Sequence, residues 1–455
     1  MISLPRAFAT TMQARLGAEW EAFLQALNSP APVSLRFHLL KHKKWSENYE
    51  KVKWCFNGVY LPERPVFTLD PAFHAGAYYV QEASSMLVCH LLQQVFPNPA
   101  GIRALDLAAA PGGKSTLLAE WLGQDGFLVA NEVIRSRFQT LDYNHIKWGY
   151  ANTIVSNHDS QDFSALENWF DLVLLDAPCS GEGLFRKDPG AMAEWSPDNV
   201  AHCAARQKRI LADAVRLLKP GGILLYSTCT YNEAENDDNV KWIGQTFGFE
   251  SIFADLPDDW GISRTLCGLQ CYPHRVKGEG FYLAALQKTG DGPTRQINSS
   301  YRFSGWGPLP GKYQNLIRPF LRNPHEFSFY IDSSYCIRAL PKDKEETTGK
   351  VAQALHRCRW GIEVGQIKGK DFIPAPELAL SNAIEPDLPA VTPDRATALR
   401  YLKKESVDFP GAPGGWVLVR YDGLNLGWAK VLQNRTNNYY PKAWRILMEL
   451  PPEFF

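Results

Sequence analysis

The sequence predicts an α/β protein of several modules: a doubly wound, mostly parallel sheet at the centre, a small α/β module before it and a β-rich region after it. Three observations predict this. From about residue 101 to 288, short apolar strands alternate with helical segments, the pattern of a parallel sheet covered on both faces. Most of those strands are continuous β-rich apolar runs, as strands buried on both sides are. The chain, at 455 residues, is also longer than one hydrophobic core normally supports.

The segment 1–85 opens with an amphipathic helical stretch on Phe8, Met12, Leu16, Trp20, Phe23, Leu24 and Leu27. Prolines at 30 and 32 break it, and the strand-like Val33–Phe37 follows, so a small α/β module is expected. In the central module, 86–290, strands are predicted at 102–107, 127–132, 153–156, 171–176, 222–227 and 280–286. Helices are predicted at 114–122, 136–148, 197–218 and 233–246, the third stopped by Lys219-Pro-Gly-Gly222. A turn-rich junction at 288–293 marks a boundary. An intermediate region, 291–385, follows it, in which the charged 341–350 reads as a solvated loop. The last module, 386–455, carries strand-like Gly415–Tyr421 and 424–432.

The composition, 45% hydrophobic and 21% charged, is that of an ordinary globular protein. The N-terminal segment lacks a basic, apolar leader, and no run of about twenty apolar residues could span a bilayer. A cytoplasmic protein is therefore expected. Nine scattered cysteines fit free thiols in a reducing compartment. Net charge of zero argues against indiscriminate nucleic-acid binding, which needs many phosphate contacts. Any RNA site must be a local patch, and the last third is mildly basic.

The loop after the first strand of the central module, Asp106-Leu-Ala-Ala-Ala-Pro-Gly-Gly-Lys-Ser115, lets backbone amides approach a ligand at a helix N-terminus. The next strand ends in Glu132, about twenty residues on, where nucleotide-binding sheets place an acid on the ribose hydroxyls. Asp159 follows the third strand, within reach of an adenine amino group. Each acid alone is more often a cap or loop residue. At successive strand ends the three features reinforce one another, because open sheets bind ligands along the carboxyl edge. An adenosine-containing cofactor is expected.

The fourth strand runs into Asp176-Ala-Pro-Cys179 and the fifth into Ser227-Thr-Cys229-Thr. A lone apolar-flanked cysteine is usually inert, but two at the edge that holds a nucleotide pocket point to chemistry. Carbon 5 of cytosine is a poor nucleophile until a thiolate adds to carbon 6, and a second thiol and a carboxyl group can then carry protons.

Residues 106–114, 176–183 with 185–189, and 227–232 resemble the Nop/Sun family of RNA cytosine-5 methyltransferases. Looser matches at 4–8, 34–37 and 74–86 extend the resemblance, and 426–430 with 438–442 is similar to a PUA-like RNA-binding domain. The resemblance implies a Rossmann-like class I methyltransferase core and S-adenosyl-L-methionine as cofactor. It implies attack by Cys229 and assistance to product release by Cys179. Ala108, Ala109, Ala110, Pro111, Gly112, Gly113 and Lys114 would wrap the methionine part of the cofactor, Glu132 the ribose and Asp159 the adenine. Asp176 would lie between cofactor and base, holding the cytosine's amidine edge with Lys114. The implied partner is RNA, as cytidine in small-subunit (16S) ribosomal RNA with transfer RNA as the alternative, handled by a monomer with no DNA and no membrane. Phe37-His38 and Trp428 depart from the family's pattern.

Rival readings are weaker. Cys267, Cys271 and His274 could suggest zinc, but a fourth ligand is missing, and no metal is expected. A DNA cytosine-5 methyltransferase carries its nucleophile in a Pro-Cys motif without the second Thr-Cys-Thr site. A non-catalytic ribosome-assembly factor would not need both cysteines, the glycine loop and three acids. Trp416, Trp428, Tyr439, Tyr440 and Trp444 are candidates for base stacking or for core, and Lys430, Arg435, Lys442 and Arg445 for phosphate contact.

Overall fold

The computed structural model describes residues 2–41, 48–290 and 300–451. Helices α1 (Arg6–Leu16) and α2 (Trp20–Leu27) bury Phe8, Met12, Phe23 and Leu27. That apolar face packs on Phe185, Tyr231 and Tyr272 of the central module, with the Phe8 and Phe185 rings 4.9 Å apart. Strands β1 (Val33–Phe37), β2 (Gly58–Leu61) and β3 (Tyr78–Val80) form a small antiparallel sheet in the order β2-β1-β3. The turn of helix α3 (Pro71–His74) precedes β3, and α4 (Leu87–Val95) leads into the central sheet.

That sheet is built from β4 (Arg103–Asp106), α5 (Gly113–Leu122), β5 (Phe127–Asn131), α6 (Arg135–Trp148), β6 (Thr153–Ser156) and β7 (Phe170–Asp176). It continues through α7 (Pro189–Glu194), α8 (Pro197–Leu217), β8 (Leu218–Thr228), α9 (Asp237–Phe247), β9 (Phe249–Ile252), β10 (Ser263–Arg264), β11 (Leu269–Cys271) and β12 (Phe281–Lys288). The order β12-β8-β7-β4-β5-β6 is parallel except at β12. Strand order therefore reverses between β4 and β7, and a crevice opens there at the carboxyl ends.

Two expectations shift slightly. The residues 219–222 do not form a separate loop: they lie within β8, and a register irregularity between Phe170 and Leu172 absorbs them. Helix α9 starts at Asp237 rather than 233, because Asn232 Oδ1 accepts from Ala234 N at 3.0 Å and holds a turn.

The remaining strands are β13 (Trp306–Pro308), β14 (Phe327–Asp332), β15 (Cys336–Pro341), β16 (Cys358–Trp360), β17 (Ile362–Lys368) and β18 (Asp371–Pro374), with α10 (Gly311–Ile317), α11 (Glu345–Ala354) and α12 (Pro376–Leu380) between and after them. All but β16 join in one antiparallel sheet, whereas β16 pairs antiparallel with β6 and extends the central sheet. The segment 341–350, expected as a solvated loop, is largely helical. After Pro341 a helical turn leads into α11, whose Thr348, Gly349 and Val351 are buried. Its charges include the Glu346–Lys350 pair at helical spacing, while Glu345 turns in to accept from the Tyr330 and Ser328 hydroxyls. The junction at 288–293 is described to Gly290, and 291–293 lie outside the described residues.

Last come β19 (Ala390–Val391), α13 (Arg395–Leu402), β20 (Gly415–Tyr421), β21 (Leu424–Val431) and β22 (Thr436–Asn438), a four-stranded sheet. Its core takes in Leu69 and Ala75 of the N-terminal module, so the two ends of the chain share buried surface. Among the described residues no helix is long and apolar enough to cross a membrane.

Candidate active site

The glycine loop joins β4 to α5 and is pinned from behind. Ala109 N donates to Asn131 O at 2.7 Å, while Ala110 O and Pro111 O accept from Arg137 (2.6 Å) and Asn144 (2.7 Å) of α6. Gly112 takes φ +123, a conformation that side chains rarely adopt. Of the predicted loop residues, Ala108 lines the cleft at the carboxyl edge. Ala109 and Ala110 are buried against Leu141 and Val155, and a Cβ on Gly113 would meet Tyr79 of β3 at 3.4 Å.

This cleft, of about 620 Å³, also takes in Glu132, Asp159, Asp176, Cys179 and Cys229. Glu132 is buried: Oε1 accepts from Ile134 N at 2.9 Å, while Oε2 has no hydrogen bond and lies 3.4 Å from Arg137. Asp106, behind the loop, is fully buried with both oxygens unpaired, and burial with Asp176 nearby holds its pKa well above the usual carboxylate range. Asp159 accepts from Gln161 N at 3.3 Å and sits 3.4 Å from Arg209, its side chain half exposed.

At the other end, Cys179 Sγ and Cys229 Sγ are 2.8 Å apart, and Cys229 N donates to Cys179 Sγ at 3.2 Å. The thiol–thiol contact and burial push the Cys179 pKa well above its ordinary value, so this sulfur keeps its proton. Asp176 accepts from Ser227 Oγ at 2.7 Å and pairs with Lys114 Nζ at 2.8 Å. Burial opposes the charge on Lys114, but Asp176 outweighs it and raises the ammonium's pKa.

Sequence reasoning passed over several residues of the site. Arg206, Ile210 and Asn199 of α8 line the cleft, and their helical spacing was the available signal. Glu235 and Gln207 lie beneath the thiols, with no local pattern to mark them.

Elsewhere the structure decides between the two roles offered for the aromatic candidates. Trp428 and Tyr440 are core residues, and Trp428 Nε1 donates to Ala375 O at 2.9 Å. Trp416 bonds to Phe372 O at 3.1 Å and meets the Tyr439 ring at 4.4 Å, while Trp444 packs on Tyr143 at 5.0 Å. The unusual Phe37 and His38 are buried too, so neither they nor Trp428 presents a ring to RNA. Arg435 and Lys442 are exposed, whereas Lys430 lies over Trp416 and Arg445 donates to Lys442 O. Cys271 sits in β11 and His274 bonds to Glu19 at 2.8 Å. Among the described residues no group of three His, Cys, Asp or Glu is placed to hold a metal ion.

A mostly parallel sheet with a glycine loop, edge acids and paired thiols at its carboxyl edge is the architecture of a class I methyltransferase. Residues 96–287 match the 16S rRNA methyltransferase RsmB/F family, 4–83 the N-terminal domain of 16S rRNA methyltransferase RsmF, and 389–446 the methyltransferase RsmF PUA domain. The chain is 32% identical to ribosomal RNA small subunit methyltransferase F of Aliivibrio fischeri (strain MJ11) over 469 aligned positions, covering 97% of each. It is 37% identical to the protein of that name from Pectobacterium atrosepticum over 311 positions, covering 64% of each. Among solved structures, a methyltransferase homolog protein from Pyrococcus horikoshii aligns at TM-score 0.52 and 28% identity, covering 63% of this chain and 100% of that one. NSun6 from the same organism, solved with the S-adenosylmethionine analogue SFG, aligns at TM-score 0.52 and 21% identity, covering 63% and 99%, and shares the fold. The chain belongs to the 16S rRNA methyltransferase RsmB/F family, a family of S-adenosylmethionine-dependent rRNA cytosine-5 methyltransferases.

Proposed function

We propose that this rRNA cytosine-5 methyltransferase works through a covalent enzyme–cytosine adduct, with Cys229 as nucleophile, Cys179 as its partner in release, and 16S rRNA as substrate. The observation that carries the reading is the 2.8 Å contact between the two sulfurs in the cleft that also holds Glu132 and Asp176.

The cofactor fits the residues present. Glu132 Oε2 is a buried acceptor at the edge of the cleft with an ion-pair neighbour but no hydrogen bond, and such an acceptor calls for a donor from a ligand. The ribose hydroxyls would supply it, Asp159 would hold the adenine amino group and the 108–114 loop the methionine end. When bound, S-adenosylmethionine supplies an electrophilic methyl group.

The chain's own residues prepare the acceptor. The Asp176 carboxylate takes the cytosine amino group, and Lys114, held by Asp176, donates to the neighbouring ring edge. The Cys229 thiolate adds to carbon 6, and the electron pair of the 5,6 double bond makes carbon 5 nucleophilic. After methylation the proton on carbon 5 leaves to a base in the cleft, a role we assign to Asp176, whose carboxylate lines the cleft with the two thiols. The double bond re-forms, and the carbon–sulfur pair returns to Cys229. The protonated Cys179 thiol stabilises that departing thiolate through a hydrogen bond. We place the enzyme in the cytoplasm, in keeping with nine free thiols, and propose that it acts as a monomer.

Denaturing gels with labelled 16S rRNA and cofactor test the roles. Cys179→Ala is expected to leave a denaturation-resistant protein–RNA band, and Cys229→Ala none and no methyl transfer. The reverse pattern would exchange the roles, and normal turnover by both variants without a band would end the covalent mechanism.

A further inference from the structure

We propose that Glu235 and Glu182 are positioning residues, a reciprocal pair of buried carboxylates, each rooted in one cysteine loop and bonded to the other, that sets the spacing of the thiols. The ladder between β7 and β8 ends at Asp176 and Ser227, with Ala177 N donating to Ser227 O at 2.8 Å. Beyond it the two loops leave the sheet, and side chains must hold them together.

Glu235, downstream of Cys229, sends its carboxylate to Ser180, the residue after Cys179: Ser180 N donates to Oε2 at 2.9 Å and Ser180 Oγ to Oε1. Glu182, downstream of Cys179, accepts from Tyr231 N at 3.0 Å, two residues past Cys229, and from Trp195 Nε1 at 3.0 Å. Gln207 of α8 braces the pair, donating to Glu235 Oε2 at 2.9 Å and to Pro178 O at 3.0 Å. Two further bonds cross the gap, Gly183 N to Cys229 O at 2.8 Å and Ser180 Oγ with Thr230 Oγ1 at 3.1 Å.

Glu235 is fully buried and Glu182 nearly so. Burying a carboxylate is costly unless donors surround it, and here the donors are the backbone and side chains of the opposite loop. Burial pushes the Glu235 pKa up even so, which is the cost expected of a group retained for geometry. Such geometry matters for the reaction, because a displacement of about 1 Å can lower a rate by roughly a hundredfold.

The proposal rests on the roles assigned to the thiols, so one readout is independent of them. Full-length enzyme is equilibrated with oxidised dithiothreitol, which accepts two electrons and two protons as Cys179 and Cys229 form a disulfide, located by peptide mass spectrometry. Glu235→Gln is expected to lower that equilibrium constant roughly tenfold or more, the effect of removing one hydrogen bond to a charged group. Cofactor affinity should stay near wild type. In the RNA assay Glu235→Gln should accumulate covalent adduct although both thiols are present, a signature that general destabilisation does not produce. Ser180→Ala, a smaller perturbation, should do the same to a lesser extent and serves if Glu235→Gln fails to fold. A disulfide equilibrium like wild type in these variants overturns the proposal. An altered equilibrium with no adduct in Cys179→Ala would instead leave the pair standing and overturn the assigned roles.

Discussion

Replacing Glu132 by Gln separates what the cofactor needs from what the fold needs. The side chain keeps its shape, and its remaining oxygen can still accept from Ile134 N, now 2.9 Å from Oε1. What changes is Oε2, which is buried, without a hydrogen bond, and 3.4 Å from Arg137. In the free enzyme that oxygen contributes little, since the Arg137 side chain is half exposed and such pairs add at most about 1 kcal/mol. Its charge also bears on Asp106, whose carboxyl Glu132 helps to keep neutral. The free variant should therefore melt no lower than wild type. With cofactor the sign reverses. A hydrogen bond from a ribose hydroxyl to a carboxylate contributes ~1.5–3 kcal/mol, and a deficit of about 2 kcal/mol weakens binding roughly thirtyfold. Calorimetric titration of both proteins with S-adenosylmethionine, beside thermal melts with and without it, measures both effects. Affinity within about twofold of wild type, the scatter that RT ln 2 allows, would remove Glu132 from the cofactor site. A lower melting point in the free variant would show that the oxygen serves the fold instead.

Three other outcomes are expected. His145 is buried with Nε2 against Ser115 Oγ, and burial and Arg359 hold its pKa down to about 3. The unfolded chain takes up a proton as pH falls below about 6.5 while the folded one does not, so stability drops by about 2 kcal/mol per such group at pH 5. His145→Gln should flatten this acid limb in chemical denaturation, and an unchanged slope would rule His145 out. A Cβ on Gly280 would overlap the Tyr231 phenol and come 2.6 Å from Gly183 Cα; Gly280→Ala should cost about 1–3 kcal/mol of stability and slow methyl transfer, whereas wild-type denaturation would show that these loop segments part freely. Finally, neutralising the exposed Arg435 or Lys442 should reduce the salt dependence of RNA binding by ~0.7–0.9 in log–log slope for each phosphate the variant leaves unneutralised. An unchanged slope would place RNA elsewhere. Point substitutions are preferable to truncation at 385, which would uncover Leu69 and Ala75.

The central sheet was legible because its strands are apolar runs bounded by Gly, Pro and Asp, and their ends fall within a few residues of expectation. The cysteines were legible for the same reason, since each follows such a run directly. Helix α11 was hidden because its charges dominate the segment while the groups that bury Thr348 and Gly349, with Tyr301 against Gly349, come from residues distant in sequence. Trp428 and Tyr440 were poor guides to an RNA surface because a ring in a half-covered sheet can bury its polar atom against a carbonyl, as Trp428 does. The Glu235–Ser180 bonds spread over 55 positions in the chain, and no periodicity reports a bond of that kind.

The pairing of β16 with β6 also bears on how the protein is made. Ser156 must wait for Cys358, so at ~5–20 residues per second the β6 edge stays uncovered for roughly 10–40 s of synthesis. During that interval a nascent chain that already holds both cysteine loops presents unpaired amides and carbonyls, an invitation to a neighbouring chain on the same messenger. A polypeptide released early, before Trp360, would carry every catalytic group and still be prone to aggregate. The late strand thus closes the sheet edge only after about four-fifths of the chain has been translated, before the last module is made.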